Sequence, residues 1–221
     1  MGVENYFTRL LECRELSGAM KPPFFMRSYA EIFSTTSIKI MLEIGIHKAG
    51  SLHMWRQFFG KEVKIYAFDI RPECVENAYG VADEAKVGSQ TDTNFLSEIS
   101  RDWGPFDLII DDGSHRSEHI LKTMDVLFEH LSPGGAYVVE DVFTSFWKTY
   151  GGGLCNPNSF IEKTKGMIDR MYCRYMGEKY SKHHVISAEE VPRHTPLSKN
   201  VDSIQFFSSG IICYRKKAVE S

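Results

Sequence analysis

Two stretches of the sequence decide the fold: FDLIIDDGSH at residues 106–115 and AYVVED at residues 136–141. In each, a short apolar run ends in a pair of acidic residues, and such runs are typical of buried parallel strands. If both runs belong to one sheet, Asp111-Asp112 and Glu140-Asp141 emerge together at its carboxyl edge, where open α/β sheets bind ligands. Converging carboxylates repel one another, so we expect a divalent cation there. His115, three residues after Asp112, is then placed to act as a base.

The composition suits one α/β domain and excludes several classes of protein. The chain has 221 residues, of which 43% are hydrophobic, and this is enough for a sizeable core. A net charge of -3 provides no broad basic surface for nucleic acid. We expect no membrane span and no secretory signal, because long apolar runs are missing. The five cysteines are scattered and lack a C-x-x-C pair, which indicates reduced thiols in a cytoplasmic protein.

The first part of the chain is predicted to be helical, over residues 1–20 and 26–36, with the breaker KPPFF at residues 21–25 between them. Two interpretations stay open for it, a lid over a bound ligand or a helical layer that seals one face of the sheet. We therefore divide the chain into an N-terminal helical cap at residues 1–36 and a main domain at residues 37–221.

A strand at residues 38–44 is followed by the glycine-containing loop GIHKAGS at residues 45–51 and then by a helix, which is the layout of a nucleotide-binding βα unit. A diphosphate needs positive potential at such a turn, but Glu43 ends the strand. This carboxylate suits a ligand with a cationic amino or sulfonium group, and it disfavours an NAD-linked oxidoreductase.

Two further strand ends carry candidate cofactor residues. Asp69 ends a strand at residues 63–69, where a carboxylate can accept hydrogen bonds from ribose hydroxyls. The alternative for Asp69 is a cap for the next helix. Gln90 lies in the polar stretch GSQTD at residues 88–92, after a short edge strand, and it is suited to the edge of an adenine ring.

The end of the chain predicts two antiparallel strands, at residues 203–207 and 210–215. With the parallel strands before them they indicate a doubly wound, Rossmann-like sheet closed by a C-terminal antiparallel hairpin, as in methyltransferases. The aromatic stretch FTSFWKTY at residues 143–150 is either core or a surface for sugar C–H groups. His183, His184 and His194 are interpreted as surface residues.

The glycine loop, Asp69 and the terminal hairpin together resemble class I S-adenosylmethionine (SAM) methyltransferases. More narrowly, DGSH at residues 112–115 with the acidic pair at residues 140–141 resembles the metal-dependent sugar O-methyltransferases of macrolide biosynthesis, the mycinamicin-type deoxysugar enzymes. The sequence SFW at residues 145–147 is similar to a Ser-x-x-Trp pattern of that family.

This resemblance implies a set of site residues. Asp112, Glu140 and Asp141 would bind Mg²⁺ or Mn²⁺, and His115 would be the general base. Asp112 is counted with His115 among the catalytic residues because it would hold the metal. The residues implied around SAM are Tyr29, Glu43, Gly45, Ser51, Asp69 and Gln90, with Asp111 near the methionine end. Members of the family carry an additional N-terminal domain that builds the oligomer. A homo-oligomer and a place in a larger multidomain enzyme therefore both stay open here.

The function we expect is Mg²⁺-dependent transfer of a methyl group from SAM to a sugar hydroxyl, in rhamnose or another deoxyhexose of a glycoside or glycan. A hydroxyl is a poor nucleophile, and chelation of a vicinal diol by a divalent ion lowers its pKa. An O-methyltransferase of catechol-like diols uses the same chelation and is the first alternative. A non-catalytic SAM-binding accessory protein is the second.

Overall fold

One sheet of seven strands organises the computed structural model, which describes residues 2–176, 192–193 and 195–219. The strands are β1 (Ile40–Ile44), β2 (Lys64–Asp69), β3 (Glu84–Val87), β4 (Phe106–Asp111), β5 (Leu131–Val139), β6 (Val201–Phe207) and β7 (Ile211–Lys216). Their order across the sheet is β3–β2–β1–β4–β5–β7–β6. The first five run parallel, and β7 is antiparallel to both of its neighbours. The doubly wound sheet with its antiparallel hairpin is thereby confirmed.

Eight α-helices connect or cover these strands within the described ranges: α1 (Val3–Ser17), α2 (Phe25–Ser34), α3 (Gly50–Phe59), α4 (Pro72–Glu76), α5 (Thr93–Trp103), α6 (Ser117–Leu127), α7 (Phe160–Tyr172) and α8 (Pro196–Asn200). Short 3₁₀ turns lie at Phe128–His130, Val142–Phe146, Lys148–Tyr150 and Cys173–Tyr175. No helix among the described residues is long and apolar enough to cross a membrane. The histidines at 183, 184 and 194 lie outside those residues.

Two helices differ from the sequence prediction. The sequence pattern after β2 predicts a helix over residues 73–85, but α4 ends at Glu76. The turn that follows contains Gly80 with φ 80°, a left-handed value that no α-helix continues through. No sequence pattern predicts α8, because its five residues are too few for a periodic apolar pattern. Its Thr195 forms a capping box with Ser198.

The N-terminal helices share one core with the sheet. Phe33 of α2 packs its ring against Trp55, Phe58 and Phe59 of α3, with ring centroids 5.0–5.7 Å apart. Tyr29 is fully buried, and its ring lies 4.9 Å from that of Trp55. The division at residue 36 stays a prediction, but the cap and this face of the sheet bury their apolar side chains together.

The pairing of β1, β4 and β5 positions the functional loops. Asp111 at the end of β4 lies opposite Ile44 of β1 on one side and Val139 of β5 on the other. The loops that follow these three strands therefore leave the sheet side by side. As the sequence predicted, both acidic pairs lie at this carboxyl edge.

Candidate metal and cofactor site

A cavity of about 750 Å³ opens at the carboxyl edge of the sheet, a size typical of small-molecule sites. It is lined by the loops after the parallel strands and by the connection between α1 and α2. Of the residues predicted around SAM, Gly45, Ser51, Asp69 and Gln90 line it. The other three, Tyr29, Glu43 and Asp111, are at most 1% exposed and lie behind its wall.

Gly45 brings two loops of the cavity into backbone contact. Its φ is 90°, and a Cβ built on it would overlap the carbonyl oxygen of Asp112. Across the same junction, the backbone N–H of Asp112 donates to the carbonyl oxygen of Ile44 at 3.0 Å. A glycine is therefore required here by the approach of one loop to another, independently of any ligand.

Asp69 holds the glycine-containing loop in place. Its Oδ2 accepts hydrogen bonds from the backbone N–H groups of Ile46 at 2.9 Å and His47 at 3.2 Å, and Oδ1 accepts one from Arg71 at 3.0 Å. Burial alone would raise the pKa of Asp69, but these backbone N–H groups lower it. The carboxylate of Asp69 lines the cavity. Its contact with ribose stays a prediction, and this position is consistent with it.

Gln90 and Asp111 are bound to each other and to the protein. The Nε2 of Gln90 donates to Asp111 at 3.3 Å and to Thr123 at 3.1 Å, and its Oε1 accepts from the backbone of Ser114 at 2.8 Å. Tyr137 donates to Asp111 at 3.1 Å. Burial raises the pKa of Asp111 to about 6. Both side chains brace the loop after β4, and the direct cofactor contacts assigned to them stay predictions.

Asp112, His115 and Asp141 form the candidate metal group among the described residues. Each offers one ligand atom, and these atoms lie within 4.8 Å of one another. The Nε2 of His115 is 3.9 Å from Oδ1 of Asp112 and 3.7 Å from Oδ2 of Asp141. His115 and Asp141 have φ values of 56° and 51°, conformations that are unusual outside glycine and concentrate at functional sites. The carboxylate oxygens of this group suit Mg²⁺ or Mn²⁺.

Glu140 does not join this group. It is 2% exposed, and its Oε1 accepts hydrogen bonds from the hydroxyl of Tyr29 and from Nζ of Lys21. Burial and the nearby Asp112 raise the pKa of Glu140, and the two donors act against this rise. Tyr29 is therefore hydrogen-bonded to Glu140 and does not line the cavity, although Glu140 does.

Lys21 is a site residue that no pattern in the sequence indicated. It is 5% exposed, and its Nζ lies 2.6 Å from Glu140 Oε1, 2.8 Å from Asp112 Oδ2 and 3.4 Å from Glu43 Oε1. Burial alone would lower the pKa of Lys21, but these carboxylates raise it well above its usual value, so the side chain is cationic. In the sequence, Lys21 belongs to a helix breaker, and no local pattern relates it to the acidic pairs.

The aromatic stretch after Asp141 lies beside the site. The ring centroid of Tyr150 is 6.4 Å from that of His115, and the ring centroid of Trp147 is 5.8 Å from that of Tyr150. Trp147 is 50% exposed and Phe143 is 39% exposed. Of the two interpretations, the structure favours a surface next to His115 over a buried core.

Comparisons with known proteins identify methyltransferases that are similar to this chain. Residues 42–142 match the family described as "Methyltransferase domain". Demethylmacrocin O-methyltransferase of Streptomyces fradiae is 32% identical over 197 residues, which cover 82% of this chain and 49% of that protein. Mycinamicin VI 2''-O-methyltransferase of Micromonospora griseorubida is 41% identical over 123 residues, 51% of this chain and 29% of that protein. A third relative, 8-demethyl-8-alpha-L-rhamnosyl tetracenomycin-C 2'-O-methyltransferase of Streptomyces olivaceus, is 39% identical over 103 residues, which cover 47% of this chain and 26% of that protein.

A solved structure is similar over nearly the whole chain. The MycE methyltransferase from the mycinamycin biosynthetic pathway, in complex with Mg, SAH and mycinamycin VI, superposes with a TM-score of 0.76 and 26% identity. The match covers 95% of this chain and 54% of that one. The chain thus spans half or less of the length of the curated relatives it matches.

Proposed function

The chain carries a class I methyltransferase domain, and from this premise we propose that it transfers a methyl group from SAM to a sugar hydroxyl with the help of a divalent metal ion. The observation that carries the proposal is the group of Asp112, His115 and Asp141 on the wall of the cavity that also contains the glycine loop. A cofactor site and a metal site that share one cavity can bring a methyl donor and an activated hydroxyl together.

The donors suit Mg²⁺ or Mn²⁺. Asp112 and Asp141 supply hard oxygen ligands, and Glu140 lies next to Asp112 and shares Lys21 with it. We propose that Asp112, Glu140 and Asp141 would hold the metal. A bound divalent ion would lower the pKa of a coordinated hydroxyl.

His115 accepts the proton of the acceptor hydroxyl at Nε2. Its ring is partly exposed to the cavity, and carboxylates stand 3.9 and 3.7 Å from that nitrogen. These carboxylates border the ring on the side of the accepting nitrogen and hold it in orientation for the hydroxyl. Asp112 thereby serves both the metal and the base.

The acceptor proposed is rhamnose or another deoxyhexose, carried by a small glycoside or a glycan. Two features support a sugar: the relatives described above are named for sugar-bearing macrolides and a rhamnosyl tetracenomycin, and Tyr150 and Trp147 offer aromatic faces next to His115. The five free cysteines, four of them buried, support a cytoplasmic location as part of the same proposal.

The test is methyl transfer by the purified protein. SAM and Mg²⁺ are mixed with a panel of rhamnosides, other deoxyhexosides and catechols, and mass spectrometry detects the gain of one methyl group. We expect transfer to a sugar that EDTA abolishes and Mn²⁺ restores. Transfer to catechols alone would assign the protein to the diol class. SAM binding in a calorimeter without any transfer would favour the accessory role.

A further inference from the structure

Lys21 occupies the place between two carboxylates that a divalent ion would bridge. We propose that Lys21 is an internal counter-ion of the metal site: the incoming metal displaces its ammonium from Asp112 and Glu140, and Glu43 receives it. The inference rests on the metal site of the proposed function, but it concerns a residue that lies far from the metal group in sequence.

The first step concerns space. The ammonium contacts Glu140 Oε1 at 2.6 Å and Asp112 Oδ2 at 2.8 Å. Mg²⁺ binds carboxylate oxygens at about 2.0–2.1 Å, so a shared ion draws the two carboxylates closer than an ammonium does. A metal that binds Asp112 Oδ2 and Glu140 Oε1, the two oxygens that hold Lys21, therefore cannot share the gap with its ammonium.

The second step concerns Glu140. The same Oε1 that holds Lys21 also accepts the hydroxyl of Tyr29, so both contacts keep this carboxylate out of the group formed by Asp112, His115 and Asp141. Release of Lys21 removes one of these two contacts. Glu140 then gains the freedom to turn toward the metal ion.

The third step concerns where the ammonium goes. Glu43 is fully buried, and its Oε1 forms no well-aligned hydrogen bond within the described part of the chain. The indole of Trp55 lies near this carboxylate, and Lys21 Nζ is 3.4 Å from Oε1. The other oxygen of Glu43 accepts a hydrogen bond from Ser51 at 3.1 Å. A buried carboxylate oxygen without a hydrogen bond is costly. A small movement of the lysine tip satisfies Glu43 and leaves the charge paired.

The backbone around Lys21 confines the exchange to the side chain. The carbonyl oxygen of Lys21 accepts a hydrogen bond from Nε of Arg14 at 2.5 Å. The carbonyl oxygens of Pro22 and Pro23 accept hydrogen bonds from the backbone N–H groups at the start of α2. The segment thus stays anchored on both sides while Nζ changes partner.

Metal binding without SAM or acceptor tests the inference. Calorimetry measures Mn²⁺ affinity for the wild-type chain, Lys21→Met, Glu43→Gln and the double variant, with Lys61→Met as the control because Lys61 is exposed. We expect Lys21→Met to bind Mn²⁺ about ten-fold more tightly, the usual scale of coupling between contacting charges. We expect Glu43→Gln to weaken binding in the wild-type background and to have much less effect when Lys21 is absent.

The pattern of effects separates exchange from simple charge. If Lys21 acted only through its distant field, the two substitutions would change the binding free energy additively. Additive effects, or unchanged or weaker Mn²⁺ binding by Lys21→Met, would overturn the inference. If all five proteins fail to bind Mn²⁺, the proposed metal dependence falls as well.

Crystal structures of the wild-type chain give a second test that needs no variant to fold. With EDTA we expect Nζ of Lys21 within hydrogen-bond distance of Asp112 and Glu140. With Mn²⁺ we expect it on Glu43. A Mn²⁺-loaded structure in which Lys21 still contacts both Asp112 and Glu140 would contradict the exchange.

Discussion

His115 lies where the chain takes a left-handed turn after β4, and this conformation points its ring between two carboxylates. The backbone is held there by Thr144, whose hydroxyl donates to the carbonyl oxygen of His115 at 3.0 Å. The ring contributes an atom to the candidate metal group and is also the proposed base. These two roles differ in what removal of the ring does to metal binding.

We expect His115→Ala to bind Mn²⁺ nearly as well as the wild type but to lose about 100-fold in turnover, the usual contribution of a general base. Asp112→Ala, in contrast, should lose both metal binding and activity while it retains affinity for SAM. Calorimetry and single-turnover assays measure the two quantities. Loss of Mn²⁺ binding by His115→Ala would make the histidine a ligand instead of a base.

Gly45 offers a test of the loop junction. Gly45→Ala places a Cβ against the carbonyl oxygen of Asp112 at φ 90°. We expect the free energy of unfolding to fall by about 3–4 kcal/mol, the sum of backbone strain and overlap.

Gly80→Ala is the matched control for this change. Gly80 has φ 80° but nothing within 4 Å of an added Cβ, so we expect a loss of about 1–2 kcal/mol from backbone conformation alone. Urea unfolding measures both variants. Equal losses would show that the contact with Asp112 contributes nothing.

At the scale of elements, apolar runs predicted the strands because a buried parallel strand needs continuous apolar residues on both faces. The five parallel strands and the hairpin lie where the sequence placed them, except that β5 begins at Leu131, well before the predicted run at residue 136. The helix after β2 was predicted too long, because the sequence does not reveal how tightly the chain must turn to reach β3. There Asp83 ties the turn to α3 and β2.

Asp83 accepts hydrogen bonds from Arg56 at 2.6 Å, Lys64 at 2.8 Å and the backbone of Ile65 at 2.9 Å. Burial alone would raise the pKa of Asp83, but these donors lower it. Because the pKa of Asp83 is lower in the folded than in the unfolded state, its stabilisation is fully present at pH values above the unfolded-state pKa, about 4. This stabilisation is lost as the pH falls through the folded-state pKa.

We therefore expect Asp83→Asn to lower the free energy of unfolding by about 1 kcal/mol at pH 7, the scale of a partly exposed ion pair. The difference from the wild type should begin to shrink below about pH 4, where Asp83 takes up a proton in the unfolded wild-type chain, and it should vanish only below the lowered pKa of the folded state. Urea unfolding at several pH values measures it. Asp169→Asn is the control, since Asp169 is exposed on α7. A difference that does not vary with pH would contradict the ion-pair explanation.

At the scale of the whole molecule, the cap and the sheet depend on one another. The aromatic side chains of α2 and α3 form a continuous part of the core, and the connection between α1 and α2 carries Lys21 to the metal site. A change in the cap should therefore affect the stability of the whole domain and not only that of its first helices.

We expect Phe33→Ala to lower the free energy of unfolding by about 3–5 kcal/mol, as is usual for a buried aromatic ring. Phe33 is 2% exposed and contacts four aromatic rings. Phe24→Ala is the matched control because Phe24 is 58% exposed in the same segment. Circular dichroism during urea unfolding should show one transition, shifted as a unit. A separate early transition in Phe33→Ala would mean that the cap unfolds by itself.

The sequence by itself determined the sheet, the edge at which the site lies and most of the residues around it. Apolar runs identify the strands, and parallel strands necessarily bring their carboxyl ends, here Asp112, Glu140 and Asp141, to one edge. Local patterns of this kind need no knowledge of distant contacts. His115 and Gly45 follow from the same loops.

Only the tertiary structure decided how the charges at that edge are paired. Lys21 is separated from Asp112 by 91 residues and from Glu140 by 119, and it reaches them because the cap packs against α3. The same packing brings the hydroxyl of Tyr29 into a hydrogen bond with Glu140. The loop after β4 likewise places Asp111 where Gln90 donates a hydrogen bond to it. Such contacts depend on the shape of the whole core, so no local pattern in the sequence reveals which carboxylate oxygens are already occupied.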